Sequence, residues 1–123
     1  MATDQLKRLR KICLALPEAT EKVAWGAPTF RVKDKMFAMF VNNHHNDGRI
    51  ALWCSAAPGV QAMLVKAEPR KFFVPPYVGP RGWLGLHLHR FKDAELAFHV
   101  RQAYCVVAPK KLKAAVCVET SEF

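Results

Sequence analysis

Acidic residues are scarce in this 123-residue chain: ten Asp and Glu stand against nineteen Lys and Arg. The carboxylates that lie close in sequence are Glu18 with Glu21 and Asp93 with Glu95, so paired-carboxylate acid–base chemistry has few candidates. Hydroxyl nucleophiles are scarcer still. The serines are Ser55 and Ser121, and neither sits in a G-x-S-x-G turn. The four cysteines, Cys13, Cys54, Cys105 and Cys117, are never closer than twelve residues, so no C-x-x-C zinc ribbon or thioredoxin-type pair is encoded. Each lies in an apolar neighbourhood, and reduced, buried thiols are expected. No apolar run approaches the ~20 residues that span a bilayer. The polar opening Met1–Arg8 has no apolar signal-peptide core, so a cytoplasmic location without a membrane partner is expected.

What is abundant is positive charge, and it is unevenly placed. Residues 1–30 carry a net +2, residues 31–92 a net +7, and residues 93–123 a net zero. A field concentrated in the middle of the chain attracts polyanions or an acidic protein. The same region holds Lys71–His89, with three of the eight prolines, three of the six glycines and the aromatics Phe72, Phe73, Tyr77 and Trp83. Proline and glycine fix backbone shape there, and the aromatics supply rigid surface. No acid or nucleophile lies within Lys71–Leu86, so the stretch points to binding rather than to a reaction.

The length fits one domain, here residues 1–116 with a tail at 117–123, able to bury roughly two-thirds of its unfolded surface. Leu6, Leu9, Cys13 and Leu16 share one face of a first helix capped by Thr3 or Asp4 and ended by Pro17. Strands are predicted at Lys22–Trp25, Thr29–Lys33, Met36–Val41 and Arg49–Cys54. Asp34-Lys35 forms one turn and Asn42–Gly48 a polar loop. A helix over Gly59–Glu68 would bury Val60, Met63, Leu64 and Ala67. Strands at Lys71–Val74 and Gly82–Leu88 follow. Next comes a helix capped by Asp93 with Leu96, Val100, Ala103, Tyr104 and Val107 on its core face, then a short helix after Pro109 and a frayed Glu119–Phe123. Consecutive strands with short turns pair antiparallel, and helices then cover one face. The predicted class is a two-layer α+β single domain, ordered helix, β meander, helix, β hairpin, helix. Arg31, Lys33, Trp83 and His87 are expected on the opposite sheet face.

Leu16-Pro-Glu-Ala-Thr-Glu21, Trp25-Gly-Ala-Pro-Thr-Phe-Arg-Val-Lys33, Lys35-Met-Phe37 and Pro75-Pro-Tyr-Val-Gly-x-x-Gly-Trp83 together resemble the MmcQ/YjbR family over about residues 5 to 115. The resemblance implies a YjbR-like fold, similar to secretion-chaperone and CyaY-like architectures. It also implies a cytoplasmic bacterial protein of no established activity, often labelled DNA-binding from its shape. It carries no catalytic set.

The residues themselves lead to the same class. His87 and His89 share a strand face without a third metal ligand in sequence, and His44 and His45 gather in a loop, so neither metal nor cofactor is expected. Gly79-Pro-Arg-Gly82 has the outline of a backbone-clamping G-x-x-G loop, yet it joins strands and Pro80 removes a donor. It reads as a rigid turn presenting Arg81. The leading expectation is a non-enzymatic domain engaging DNA, with low sequence specificity, through Arg31, Lys33, Lys35, Lys71 and Arg81. The alternatives are a module for an acidic protein or a second copy of itself, and a small-ligand pocket. That pocket would be walled by Trp25, Tyr77 and Trp83 on the loop containing Pro75, Pro76, Gly79 and Gly82. An enzyme would need Glu18, Glu21, His87 or His89 to converge.

Overall fold

The structure, a computed structural model, describes residues 2–117. The frayed end expected at Glu119–Phe123, with Ser121 and all of the tail after Cys117, lies outside the described residues. α1 (Ala2–Leu14) buries Leu9 and Cys13 completely. It begins ahead of the expected caps, so Thr3 and Asp4 are helical, and it stops two residues before Leu16. There Leu16 N donates to Cys13 O at 3.2 Å and turns the chain ahead of the sheet.

Four antiparallel strands follow as a meander: β1 (Ala19–Ala24), β2 (Ala27–Val32), β3 (Lys35–Asn42) and β4 (Ile50–Cys54). β1 is longer than expected because Ala19 already pairs with Val32. Trp25 and Gly26 join β1 to β2 with φ of 53° and 74°. The β2–β3 turn is Lys33-Asp34, at φ 50° and 64°, rather than Asp34-Lys35. Lys35 is instead extended, paired with Val32. Two left-handed residues match the strand twist of tight hairpins, and this geometry overrides the composition of either turn.

α2 (Val60–Ala67) crosses to the edge strand β5 (Phe72–Phe73), and β6 (Leu84–His87) returns between β5 and β4. The six-stranded order is β1-β2-β3-β4-β6-β5. Only Leu64 and Val65 of α2 pack against the main core, while Met63 and Ala67 are exposed, contrary to the expected stripe. The helix is short and lies at the sheet edge, so it contributes one narrow ridge. α3 (Asp93–Val107) buries Leu96, Val100, Ala103 and Tyr104. Asp93 is its first helical residue, not its cap. It pairs with Arg8, which also donates to Leu88 O and Phe91 O. α4 (Lys110–Cys117) follows.

The helices cover one sheet face, as predicted for the α+β class. Phe30, Val32, Phe37, Leu52, Leu84 and Leu86 meet α1 and α3 there. Each such buried side chain contributes about 1.5–3 kcal/mol. Tyr104 OH donates to Pro17 O at 2.7 Å and Ser55 Oγ to Ala103 O at 2.8 Å, fixing α3 across the layer. On the other sheet face Arg31 and His87 stand opposite Met36 and Ala51 and Trp83 is buried, as expected, whereas Lys33 lies in the β2–β3 turn and the middle of the face is apolar. Val41, Ala51, Trp53, Phe73 and Trp83 form a second apolar cluster there, with Met36, Met39 and Val78 against it.

The cysteines also depart from expectation. Cys13 and Cys54 are buried and free. Burial pushes the Cys54 thiol up to about 12 and raises that of Cys13 as well. Cys105 and Cys117, however, are only half-buried and form a disulfide that ties α3 to α4. Sequence spacing shows no pairing because the turn at Ala108-Pro109 brings the two helices together.

Gly85 marks the tightest approach in the second cluster. A Cβ there would lie 2.5 Å from the Phe73 ring, a rigid neighbour packed between strands. Gly85→Ala is predicted to lower stability by about 1–3 kcal/mol, seen as a reduced midpoint in urea. An unchanged midpoint would show that the ring has room to shift.

Candidate functional site

The loop Val74–Trp83 builds the site. Pro75 and Gly79 are buried, and Pro76, Tyr77 and Arg81 face solvent. A 3-10 turn at Gly79–Arg81 reverses the chain, and Gly82 closes it. Gln61 of α2 clamps both ends, donating from Nε2 to Gly79 O at 2.9 Å and to Trp83 O at 2.6 Å. Trp83 is therefore buried under the loop, with the Arg81 guanidinium 6.0 Å from its ring. Tyr77 stands out from the loop at φ 63°, and its hydroxyl lies 2.7 Å from His45 Nε2.

The loop covers the second apolar cluster only in part. Between it and the β1–β2 turn runs an open groove of about 840 Å³. Met36, Met39, Val41 and Trp53 line its interior, and Trp25, Tyr77 and Arg81 line it too. Trp25 is 78% exposed and Tyr77 is 68% exposed. His44, from the loop after β3, also lines the groove and packs edge-on to Trp53 and Tyr77, at 5.2 and 5.6 Å between ring centres. Its Nε2 is buried without a hydrogen-bond partner. A buried imidazole nitrogen with nothing to bond is uncommon and marks a place where a ligand atom would be favourable.

Of the residues singled out from sequence, the structure brings Trp25, Tyr77 and Arg81 to one groove and puts Trp83 beneath it. It does not gather the cations into one surface. Arg31 Nε donates to Thr29 Oγ1 at 3.1 Å. Lys33 Nζ lies 2.6 Å from Glu18, and Lys35 is exposed at the start of β3. Lys71 belongs to the other end of the sheet, 2.7 Å from Glu95 and over the Phe91 ring on the helix side. The hydrogen bonds to Glu18 and Glu95 raise the pKa of Lys33 and Lys71. Glu21 holds Arg10 through two bonds of 2.6 and 2.9 Å. Glu18 and Glu21 are thus each engaged by a cation away from His87 and His89. Among the described residues, no three metal-ligating side chains come together.

Sequence reasoning missed Met39 and Gln61, and it weighed His44 only as a loop histidine and Trp53 only as one of several core or stacking aromatics. The alternation of β3 and β4 could have put Met39 and Trp53 on one face, since they pair directly across the strands. Nothing local signals the reach of Gln61, eighteen residues from Gly79.

Comparison with known proteins places these features in a family context. Residues 14–106 match the family model described as YjbR. The fold is also similar to the crystal structure of Deinococcus radiodurans protein DR2400, which carries the family-model domain DUF419. The TM-score is 0.71 at 21% identity, over 94% of this chain and 87% of that one. No curated protein matches. At that identity the structural likeness speaks to the fold alone.

Two histidines supply a pH test. Burial, then the charges of Arg49, His89 and Arg90, lower the pKa of His87 below 6.5, with Asp47 acting weakly the other way. His99, packed among Phe72, Phe91 and Phe98, is lowered by burial and by Lys71. Both bind protons less readily in the native than in the unfolded state. Their contribution is complete above the unfolded value and is lost as pH falls through it toward the folded values. Stability is therefore predicted to fall as pH drops through 6.5, and less steeply in a His87→Asn, His99→Asn double variant. Equal slopes in denaturant midpoints for the two proteins would contradict the assignment.

Proposed function

The chain belongs to the YjbR family, and from that fold we propose a non-catalytic binding domain that takes a single strand of DNA along the groove between Trp25 and Tyr77, with little sequence preference. The exposure of those two aromatics on an apolar groove carries the reading. Large aromatic faces left in water are ready to stack, and stacking on a base is worth about 1–3 kcal/mol. Arg81 lines the same groove and no carboxylate pairs with it among the described residues, so it is available to a phosphate. Every base has a face to stack, and phosphate contacts carry no sequence information, so low specificity follows.

Several features favour this over the alternatives. A duplex keeps its base faces stacked and is read by a helix or ribbon in the major groove, whereas the groove here offers flat faces to unstacked bases. Among the described residues no carboxylate, serine or cysteine lines the groove, which supports binding without catalysis. An acidic protein has only the general excess of positive charge in its favour, and that same excess opposes a second copy of the chain. No described helix is long and apolar enough to cross a membrane, and the proposal is of a protein acting in the cytoplasm.

Titration with an oligothymidine, followed by tryptophan fluorescence, tests the reading. Trp25→Ala and Tyr77→Ala are each predicted to weaken binding about tenfold. Arg81→Ala should reduce the salt dependence by about one ion. Affinity indifferent to salt, or unchanged in both aromatic variants, would refute the proposal. A small apolar aromatic compound that saturates the groove while DNA does not bind would favour the pocket reading instead.

A further inference from the structure

A second concave site of about 360 Å³ lies at the end of the sheet where β4 begins and β6 ends. Arg49, Arg70, His87, His89, Arg90 and Gln5 wall it. Strand register creates this cluster from residues far apart in sequence. Ala51 pairs with His87, which sets Arg49 at the foot of β4 beside the end of β6. The 3-10 turn Leu88–Arg90 brings in His89 and Arg90. His87 N donates to Lys71 O at 3.0 Å, which draws the neighbouring Arg70 alongside.

The charge of this cleft is unbalanced. Three guanidinium groups and two imidazoles line it, and among the described residues no carboxylate does. Elsewhere in the chain Arg8, Arg10, Lys33 and Lys71 each have a carboxylate partner. Among the described residues no ion pair reaches Arg49, Arg70 or Arg90. Arg49 lies 4.2 Å over the Phe73 ring, which orients its guanidinium without neutralising it. Asp47 is the acid nearby in sequence, and its Oδ1 is engaged by the Arg49 backbone N–H at 2.8 Å. Gln5 Oε1 accepts from Arg8, leaving its amide N–H groups as the end free to donate. Like charges held together without a counterion repel, and burial of His87 beside them adds to the cost, as its lowered pKa reflects. A bound oxyanion would relieve both, and the planar guanidinium fork matches phosphate geometry.

We propose that this cleft is an oxyanion site that takes a phosphate group, supplied either by a small phosphorylated ligand or by a nucleic-acid backbone. It does not rest on the reading of the groove, although the segment from Asn43 to Arg49 contributes His44 to the groove and Gly48 and Arg49 to the cleft.

The test is a titration of the full chain with pyrophosphate, followed by the backbone amide resonances of Gly48, Arg49 and His87. Saturable shifts at these three are expected. Arg70→Gln and Arg90→Gln, both at exposed positions without partners, should each weaken binding about tenfold. Arg49→Lys keeps the charge and the fold but loses the fork, and it should weaken binding as well. Lys22→Gln and Lys111→Gln remove the same charge elsewhere and should change affinity by less than about twofold. Shifts that never saturate, or equal losses in the lysine controls, would overturn the site in favour of diffuse attraction. An oligothymidine without a terminal phosphate separates the sources. Displacement of pyrophosphate assigns the site to the backbone, and retention assigns it to a small ligand. Trp25→Ala leaves pyrophosphate binding unchanged, so failure of the groove and failure of the cleft are distinguishable.

Discussion

The structure depends on how its six-stranded antiparallel sheet covers two apolar faces with helices for only one of them. α1 and α3 bury the first face under Leu9, Cys13, Leu96, Val100 and Tyr104. Among the described residues no helix covers the second face. Its Trp53, Phe73 and Val41 are shielded by the loop Val74–Trp83, which delivers Trp83 into the cluster. Gln61 holds that loop at its middle, Gly79, and at its far end, Trp83, and Gly85 lets the Phe73 ring lie against bare backbone. A ten-residue loop cannot cover a whole sheet face. What it leaves open is the groove, so the groove follows directly from the way the fold closes.

That origin explains the chemistry of the groove. Its interior is apolar because it is the unfinished part of a core. Its polar groups are few and come from loops: Arg81 from the cover and His44 from the turn beyond β3. Trp25 and Tyr77 both sit at positive φ in turns, and both rings are largely exposed.

The fold was largely legible in the sequence. The spacing of Leu6, Leu9 and Cys13 gave α1, the alternation of Phe30 and Val32 gave β2, and Leu84 and Leu86 gave β6 facing the helices. Turn positions were less legible, because Lys33-Asp34 carries none of the usual glycine signal. Part of the lining of the candidate groove was visible. Trp25, Tyr77, Trp83 and Arg81 stood out by residue type, and the structure brings them together around one groove, with Trp83 as its buried support. The expectation about charge did not transfer in the same way. A net charge summed over residues 31–92 says nothing about pairing, and Lys33 and Lys71 turn out to be held by carboxylates. Arg49, Arg70 and Arg90, which have no ion pair among the described residues, meet through the β4–β6 pairing and the bond from His87 N to Lys71 O, across forty residues of chain. The Cys105–Cys117 bond was hidden for the same reason, since it depends on the angle between two helices.

The central claim is that the groove between Trp25 and Tyr77 is where the ligand lies. Fluorine NMR on protein labelled with 5-fluorotryptophan tests it directly, because the three tryptophans occupy distinct depths: Trp25 exposed, Trp53 lining the groove and Trp83 beneath the loop. On saturation with oligothymidine, the Trp25 resonance should shift most, that of Trp53 less, and that of Trp83 least. Saturable binding with an unmoved Trp25 resonance would place the ligand elsewhere and contradict the account.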